Sequence, residues 1–161
     1  MNILGLTYPY NYNPSACVLV DGHISGLIEE ERLVRIKHAP RLLPRLSSEW
    51  VLQAAGLTWE DVDAVAIPCV PLRTILRRNL YDSRSLVYGA CVAGYLGCHT
   101  AFNDIRLKQF LKRYSGPVFR VSHHLSHAAS AYYAAGFEKA NIISLDGTGG
   151  ENSGVLAYGE N

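Results

Sequence analysis

The order of apolar and polar positions along the chain predicts a start made of strands, followed by alternating helices and strands. The predicted strands are short apolar runs at residues 2–7, 16–20, 23–29, 63–67, 118–121, 141–145 and 154–158. The predicted helices lie at residues 47–55, 72–80, 85–101, 104–114 and 123–135. Residues 29–35 fit a loop or a helix, and the polar segment 8–14 is predicted to be a loop.

Turn and capping residues set the predicted ends of these elements. Asp21-Gly22 is a hairpin signal between the second and third strands. Ser47 or Ser48 is expected to cap the helix that follows it, because a serine hydroxyl can accept a bond from an unpaired backbone N–H. Pro68 is expected to stop the fourth strand, and the apolar run at 141–145 is expected to be a buried strand.

Three opening strands followed by mixed elements indicate the α/β fold class, with a mixed sheet flanked by helices. The chain has 161 residues, 48% hydrophobic and 18% charged. That composition excludes a disordered chain, since enough apolar surface is present to offset the entropy of ordering. Charge below the usual ~25% also suggests a surface that something else normally covers.

Charge and targeting signals narrow the class of partner. The net charge is +1, so no strong field attracts nucleic acid or an anionic membrane, and neither is expected as a partner. Residues 85–103 carry no charge, but their glycines and polar side chains favour a buried helix over a membrane span. The four cysteines form no C-x-x-C pair and no signal peptide opens the chain, so a cytoplasmic setting is expected.

The segment Ser122-His123-His124-Leu125-Ser126-His127 is the strongest chemical feature. On a helix, His123 and His127 are one turn apart on one face, where two imidazoles can bind one metal ion. His124 is rotated by about 100° and is not expected to join them. The alternative is a helix start whose polar residues serve only in capping. This motif alone does not decide between a metal site and a capped helix start.

Asp146 follows the apolar run at 141–145 and precedes a glycine-rich segment. A carboxylate at the end of a strand can supply an oxygen ligand, and the backbone N–H groups after it can bind phosphate. The predicted cofactor-binding residues are Gly147, Thr148, Gly149 and Gly150. A simple Asp-Gly hairpin turn is the alternative. With His123 and His127, Asp146 would suit iron, manganese or zinc.

Two further features could bind substrate. The loop 8–15 could surround a phosphate or a substrate hydroxyl, and Asn13 is its predicted substrate-binding residue. The charged cluster 29–38 could neutralise a phosphate, with Lys37 as its predicted substrate-binding residue. A long hairpin connection and a surface lattice of ion pairs are the respective alternatives.

Taken in order, these residues resemble the O-carbamoyltransferase family, which includes nodulation-factor and antibiotic carbamoyltransferases. The resemblance spans nearly the whole chain, and the histidine motif with its downstream aspartate is the most specific part. The matching positions are Gly5, Asp21-Gly22, Glu29-Glu-Glu-Arg32, Arg35-Ile-Lys-His38, His123-His-Leu-Ser-His127 and Leu145-Asp-Gly-Thr-Gly149.

The resemblance implies an actin-like ATPase fold, of which this chain is the ribonuclease-H-like first half. This half of the family is similar to the ATPase that makes threonylcarbamoyl-adenosine in tRNA. It implies that carbamoyl phosphate and ATP give carbamoyl-adenylate in a separate C-terminal domain, and that the carbamoyl group then moves to the hydroxyl of a small molecule. His123, His127 and Asp146 match the family's metal ligands, with iron the expected metal. A homodimer is a further expectation.

One departure from the family lies in the first loop. Relatives carry a His-Asp pair where this chain has Tyr12-Asn13, and tyrosine is a poor base at its normal pKa of ~10. Residues 1–161 are expected to be the N-terminal lobe of a larger enzyme, inactive without a second lobe and a carbamoyl-adenylating domain. The alternatives are half of a sugar-kinase-like phosphotransferase, or a non-catalytic module that binds a partner.

Overall fold

The computed structural model describes residues 1–7, 13–69, 86–146 and 153–160, and divides the chain into two compact units. Unit 1 contains Met1–Pro68 and Thr100–Arg120, and unit 2 contains Cys69–His99 and Val121–Asn161. The described strands are β1 Asn2–Thr7, β2 Ser15–Val20, β3 His23–Glu29, β4 Ala64–Cys69, β5 Val118–Ser122, β6 Lys139–Leu145 and β7 Gly154–Glu160. The described α-helices are α1 Glu30–Val34, α2 Arg45–Ala54, α3 Leu86–Phe110 and α4 His123–Ala135. Short 3₁₀ turns lie at Trp59–Asp61 and Leu111–Arg113.

A five-stranded sheet has the strand order β3-β2-β1-β4-β5. β2 is antiparallel to both β1 and β3, and β4 is parallel to β1. Asp21 and Gly22 both have positive φ, at 50° and 83°, which is the backbone that a two-residue hairpin with matching twist requires. The predicted α/β class with a mixed sheet and flanking helices is confirmed. It agrees with the ribonuclease-H-like lobe that the resemblance implies.

The core of unit 1 lies between this sheet and its helices. Leu4 and Leu6 alternate along β1 and are buried, as are Val65 and Ile67 on the parallel strand β4. α2 contributes Val51, which is fully buried in the same cluster. The strands therefore present alternate side chains to one packed face, as their apolar pattern predicts.

The start of α2 differs from the prediction that Ser47 or Ser48 caps it. Pro44 is the N-cap residue, and both serines are buried in the first turn. The cap comes from Glu30, whose carboxylate accepts bonds from the backbone N–H of Leu46 at 3.0 Å and of Ser47 at 2.8 Å. A buried carboxylate from another helix thus replaces the local hydroxyl, and its charge is favourable at a helix N-terminus.

Two predicted boundaries in the middle of the chain are wrong. Pro68 lies inside β4 rather than ending it. The described pairing of β4 with β1 covers only Ala64 to Ala66, so the missing N–H of Pro68 costs that ladder no bond. Separate helices are predicted at 85–101 and 104–114, but α3 runs from Leu86 to Phe110 without a break, with Asn103 buried inside it. The predicted helix at 72–80 lies outside the described residues.

In unit 2, α4 packs against an antiparallel pair formed by β6 and β7. The prediction that 141–145 is a buried strand is wrong: Ser144 is buried, but Ile143 is 66% exposed and Leu145 81% exposed. Alternation along a strand explains this result, since every second side chain of β6 points away from α4. Leu156 on β7 lies opposite Ile143 and is 80% exposed. Among the helices that the structure describes, none combines the length and the hydropathy that crossing a bilayer requires.

Candidate metal centre and substrate-binding loops

The two histidines of the candidate metal centre come from the first turn and a half of α4. Ser122 caps this helix, since its Oγ accepts a bond from the backbone N–H of Leu125 at 3.3 Å. The cap fixes where the helix starts, and therefore which side chains share a face. His123 and His127 share one, with their Nε2 atoms 3.1 Å apart and their ring planes at 81°.

Asp146 supplies the carboxylate of the centre from the residue directly after β6. Its Oδ2 lies 2.6 Å from Nε2 of His123 and 3.8 Å from Nε2 of His127. Its backbone N–H donates to the carbonyl of Ser153 at 2.8 Å, which ties the end of β6 to the segment before β7. The carboxylate is therefore held by the strand pair, while the histidines are held by the helix.

The three donor groups of the candidate centre lie close together. One ligand atom from each of His123, His127 and Asp146 lies within 4.8 Å of the others. Two imidazole nitrogens bound at about 2.0–2.1 Å to one ion would be about 3.0–3.4 Å apart, which matches the 3.1 Å between these Nε2 atoms. The side chains of His123 and Asp146 are half-buried and that of His127 is 56% exposed, so an ion can reach the donors from solvent. Two nitrogens and one oxygen suit iron, manganese or zinc.

His124 points away from this cluster, as its position on the helix predicts. It is buried, and its Nδ1 lies 3.1 Å from the Oγ of Ser144, which is also buried. Because His124 follows His123 and Ser144 precedes Asp146 by two residues, this bond joins the two elements that carry the metal ligands. Sequence reasoning did not single out Ser144, whose only signal was a polar residue inside an apolar strand.

The two predicted substrate-binding residues lie in unit 1, while the metal cluster lies in unit 2. Asn13 has a φ of 64°, and its Oδ1 lies 2.9 Å from Nδ1 of His38. Lys37 is exposed in the turn just before His38. The predicted cofactor-binding residues 147–150 and the departure at Tyr12 lie outside the described residues.

The charged cluster 29–38 has more than one role in the structure. Glu30 is buried and caps α2, while Glu31 accepts a bond from the backbone N–H of His38 at 2.6 Å. Arg32 lies 3.6 Å from Glu31. Part of the cluster is therefore structural, and no local pattern among these residues indicates which carboxylate is buried.

Comparison with protein families gives a match over residues 2–158 to the model described as "Carbamoyltransferase N-terminus". The chain is 34% identical over 159 residues to nodulation protein NolNO of Sinorhizobium fredii, which covers 98% of this chain and 23% of that protein. It is 27% identical over 161 residues to the uncharacterized protein sll1178 of Synechocystis, covering 92% of this chain and 26% of that protein. The chain thus spans about a quarter of the length of these relatives.

Among solved structures, the chain is similar to YeaZ from Pseudomonas aeruginosa, with 20% identity and a TM-score of 0.43. That match covers 90% of this chain and 54% of YeaZ. A second structure from the same organism, described as similar to peptidase YEAZ, matches with 19% identity and a TM-score of 0.45. It covers 99% of this chain and 66% of the other.

Proposed function

The chain belongs to the carbamoyltransferase N-terminus family, and on that premise we propose that it is the N-terminal part of an ATP-dependent O-carbamoyltransferase. The donor in this proposal is carbamoyl-adenylate, made from carbamoyl phosphate and ATP by a further domain of the same protein. The acceptor is a hydroxyl group of a small molecule. The family and the similarity to NolNO support a carbamoyl transfer, and the residues of the two units support the details below.

The proposed reaction is an acyl substitution at the carbamoyl carbon. The acceptor oxygen attacks that carbon, a new O–C bond forms, and the bond from the carbamoyl carbon to the phosphate oxygen breaks. AMP leaves with the electron pair of the broken bond, and the hydroxyl proton must pass to a base. The protein's task is to place the two reactants and to stabilise the negative charge on the departing phosphate.

His123, His127 and Asp146 would hold the divalent metal. A bound metal would neutralise charge on the adenylate phosphate and so make AMP a better leaving group. The chain's own contribution is to set the donor atoms in advance, from a capped helix and from the end of a paired strand. The convergence of these three donors within 4.8 Å is the single observation that carries the proposal beyond family membership.

Metal content and metal-dependent stability test this site. Purified natural protein loaded with Fe²⁺, Mn²⁺ or Zn²⁺ is expected to retain about one ion per chain and to melt at a higher temperature, since an ion that binds only the folded state stabilises it. His123→Ala should bind at least ~10-fold more weakly. His23→Ala, which removes an exposed histidine of β3 outside the cluster, is the matched control. Wild-type protein with no retained metal and no rise in melting temperature would remove the metal from the proposal.

Nucleotide products separate the proposed transferase from a phosphotransferase. In the natural protein, AMP formation from ATP should depend on carbamoyl phosphate. ADP formation without carbamoyl phosphate would favour the sugar-kinase-like alternative. Absence of adenine-nucleotide binding by calorimetry would favour a non-catalytic module.

A further inference from the structure

The first half of α3 carries exposed apolar side chains along one side. In the part of α3 that belongs to unit 2, four such residues follow one another at alternate steps of three and four. They are Tyr88, Cys91, Tyr95 and Cys98. The tyrosines are 68% and 66% exposed, and both cysteines are exposed free thiols. Steps of three and four keep side chains on one face of a helix, so these four residues form one surface, which we call the α3 stripe.

The opposite side of the same helix segment is buried. Ala93 lies about half a turn away from the α3 stripe and is 3% exposed. Residues 85–103 carry no charge, so the solvent side of this segment lacks the charged residues of an ordinary surface helix. Contiguous exposed apolar surface of this kind is typical of a site of association.

The order of its residues makes the α3 stripe complementary to itself. When two copies of α3 lie antiparallel and are centred on position 93, Tyr88 of one copy lies level with Cys98 of the other, and Tyr95 lies level with Cys91. Each of the four layers then pairs an aromatic ring with a small apolar thiol, and large against small fills an interface evenly. A parallel pair would instead place ring against ring and thiol against thiol.

We propose that the α3 stripe is the contact surface of a symmetric homodimer, in which α3 of one copy packs antiparallel against α3 of a second copy. A two-fold axis relates the copies, so each contact between a tyrosine and a cysteine occurs twice. This inference goes beyond the proposed carbamoyl transfer and does not depend on it.

The available area predicts a weak dimer. An aromatic side chain buries about 150–250 Å² in full, and about two thirds of each tyrosine is exposed, so the four tyrosines would bury about 400–700 Å². The thiols add to this area, but a standard interface buries about 1,600 Å². We therefore expect association in the micromolar range or weaker.

The mass of the natural protein in solution tests the dimer. Sedimentation equilibrium should show monomers that associate to dimers as the concentration rises. Tyr95→Glu puts a charge into a central layer and should weaken the dimer by at least ~10-fold, since central tyrosines often carry much of the binding energy. Tyr133→Glu is the matched control, because Tyr133 is 75% exposed on α4 of the same unit and lies outside the α3 stripe. It should leave the dimer unchanged, and circular dichroism would check that both variants keep the fold.

Disulfide mapping tests the antiparallel arrangement. Tyr88→Cys, made together with Cys91→Ser, places a thiol level with Cys98 of the second copy. Mild oxidation should then give a covalent dimer in which peptide mapping joins position 88 to position 98. In the antiparallel pair the two copies of Cys98 are about 15 Å apart along the helix axis, too far for a disulfide.

Three results would overturn the proposal. Wild-type protein that stays monomeric at its highest soluble concentration would mean that something other than a second copy covers the α3 stripe. A dimer that Tyr95→Glu and Tyr133→Glu affect equally would place the contact elsewhere. Disulfides that join position 98 to position 98 would refute the antiparallel pairing. None of these measurements involves AMP formation, so the proposed transferase stands or fails separately.

Discussion

Ser144→Ala should weaken both the fold of unit 2 and its candidate metal centre. The hydroxyl of Ser144 lies 3.1 Å from Nδ1 of His124, and the two side chains are 8% and 6% exposed. Alanine removes the hydroxyl from a site that water does not readily enter. Loss of a buried hydrogen-bond partner costs about 1–3 kcal/mol, whereas a typical hydrogen bond contributes only about 0.5–1.5 kcal/mol net. We expect the free energy of unfolding to fall by about 1–3 kcal/mol. For a chain of 161 residues that corresponds to a fall in melting temperature of roughly 2–12 °C.

The same variant should weaken metal binding without touching a ligand. The His124–Ser144 contact joins α4, which carries His123, to β6, which ends directly before Asp146. Contacts that orient ligands typically contribute 10–100-fold in metal affinity, so we expect a loss in that range. Urea denaturation would measure the stability, and competition with a chelator would measure the affinity.

Ser130→Ala is the matched control for Ser144→Ala. Ser130 is exposed on α4, and its hydroxyl donates only to a carbonyl of its own helix, that of His127, at 2.9 Å. This change should alter stability by no more than ~0.5 kcal/mol. If Ser144→Ala and Ser130→Ala behave alike in stability and in metal affinity, the buried contact does not set the geometry of the centre.

Three further predictions concern stability. Gly159→Ala should destabilise by about 1–3 kcal/mol in urea denaturation, because an added Cβ would lie 2.6 Å from the Tyr132 ring; an unchanged midpoint would show that this ring moves freely. Gly94→Ala should stabilise α3 by up to ~1 kcal/mol in thermal melts, since the added Cβ meets none of the described atoms within 4 Å and alanine favours helix. A lower melting temperature would contradict this expectation. Bonds from the backbone and side chain of Thr58 hold the pKa of Asp61 below its ordinary 3.8. Stability from this charge is therefore present above pH 3.8 and lost as the pH falls through the lower folded value, and in an acid titration Asp61→Asn should lose this part of the pH dependence.

Features that depend on local spacing could be predicted from the sequence. The pairing of His123 with His127 follows from helical periodicity, and the hairpin at Asp21-Gly22 follows from the backbone that this turn requires. The position of Asp146 directly after an apolar strand likewise predicts a carboxylate at the candidate metal centre, and its Oδ2 lies 2.6 Å from Nε2 of His123. Each of these predictions depends only on a few residues that are close together in the sequence.

Features that depend on distant partners could not be predicted. The cap of α2 comes from Glu30 rather than from its own serines, and the orientation of His38 comes from Asn13. Nothing near Glu30 in the sequence marks it as the buried member of three successive acids. The exposed face of β6 was missed for a related reason: an apolar run indicates a strand, but burial of both its faces depends on what packs against it.

The connectivity of the two sheets bears on how fast each can form. The partners in the β6–β7 pair are close in sequence, from Leu145 with Gly154 to Lys139 with Glu160, and the adjoining α4 is local as well. In the five-stranded sheet, Ile3 pairs with Ala64, so about sixty residues of chain must be closed before β1 meets β4, at an entropic cost that grows with loop length. Contacts of low sequence separation form faster as a rule. The helix and hairpin beside the candidate metal ligands share this low sequence separation with the β1–β2–β3 strands. Both parts are therefore placed to assemble before β1 meets β4, and an ion could bind before the slower sheet is complete.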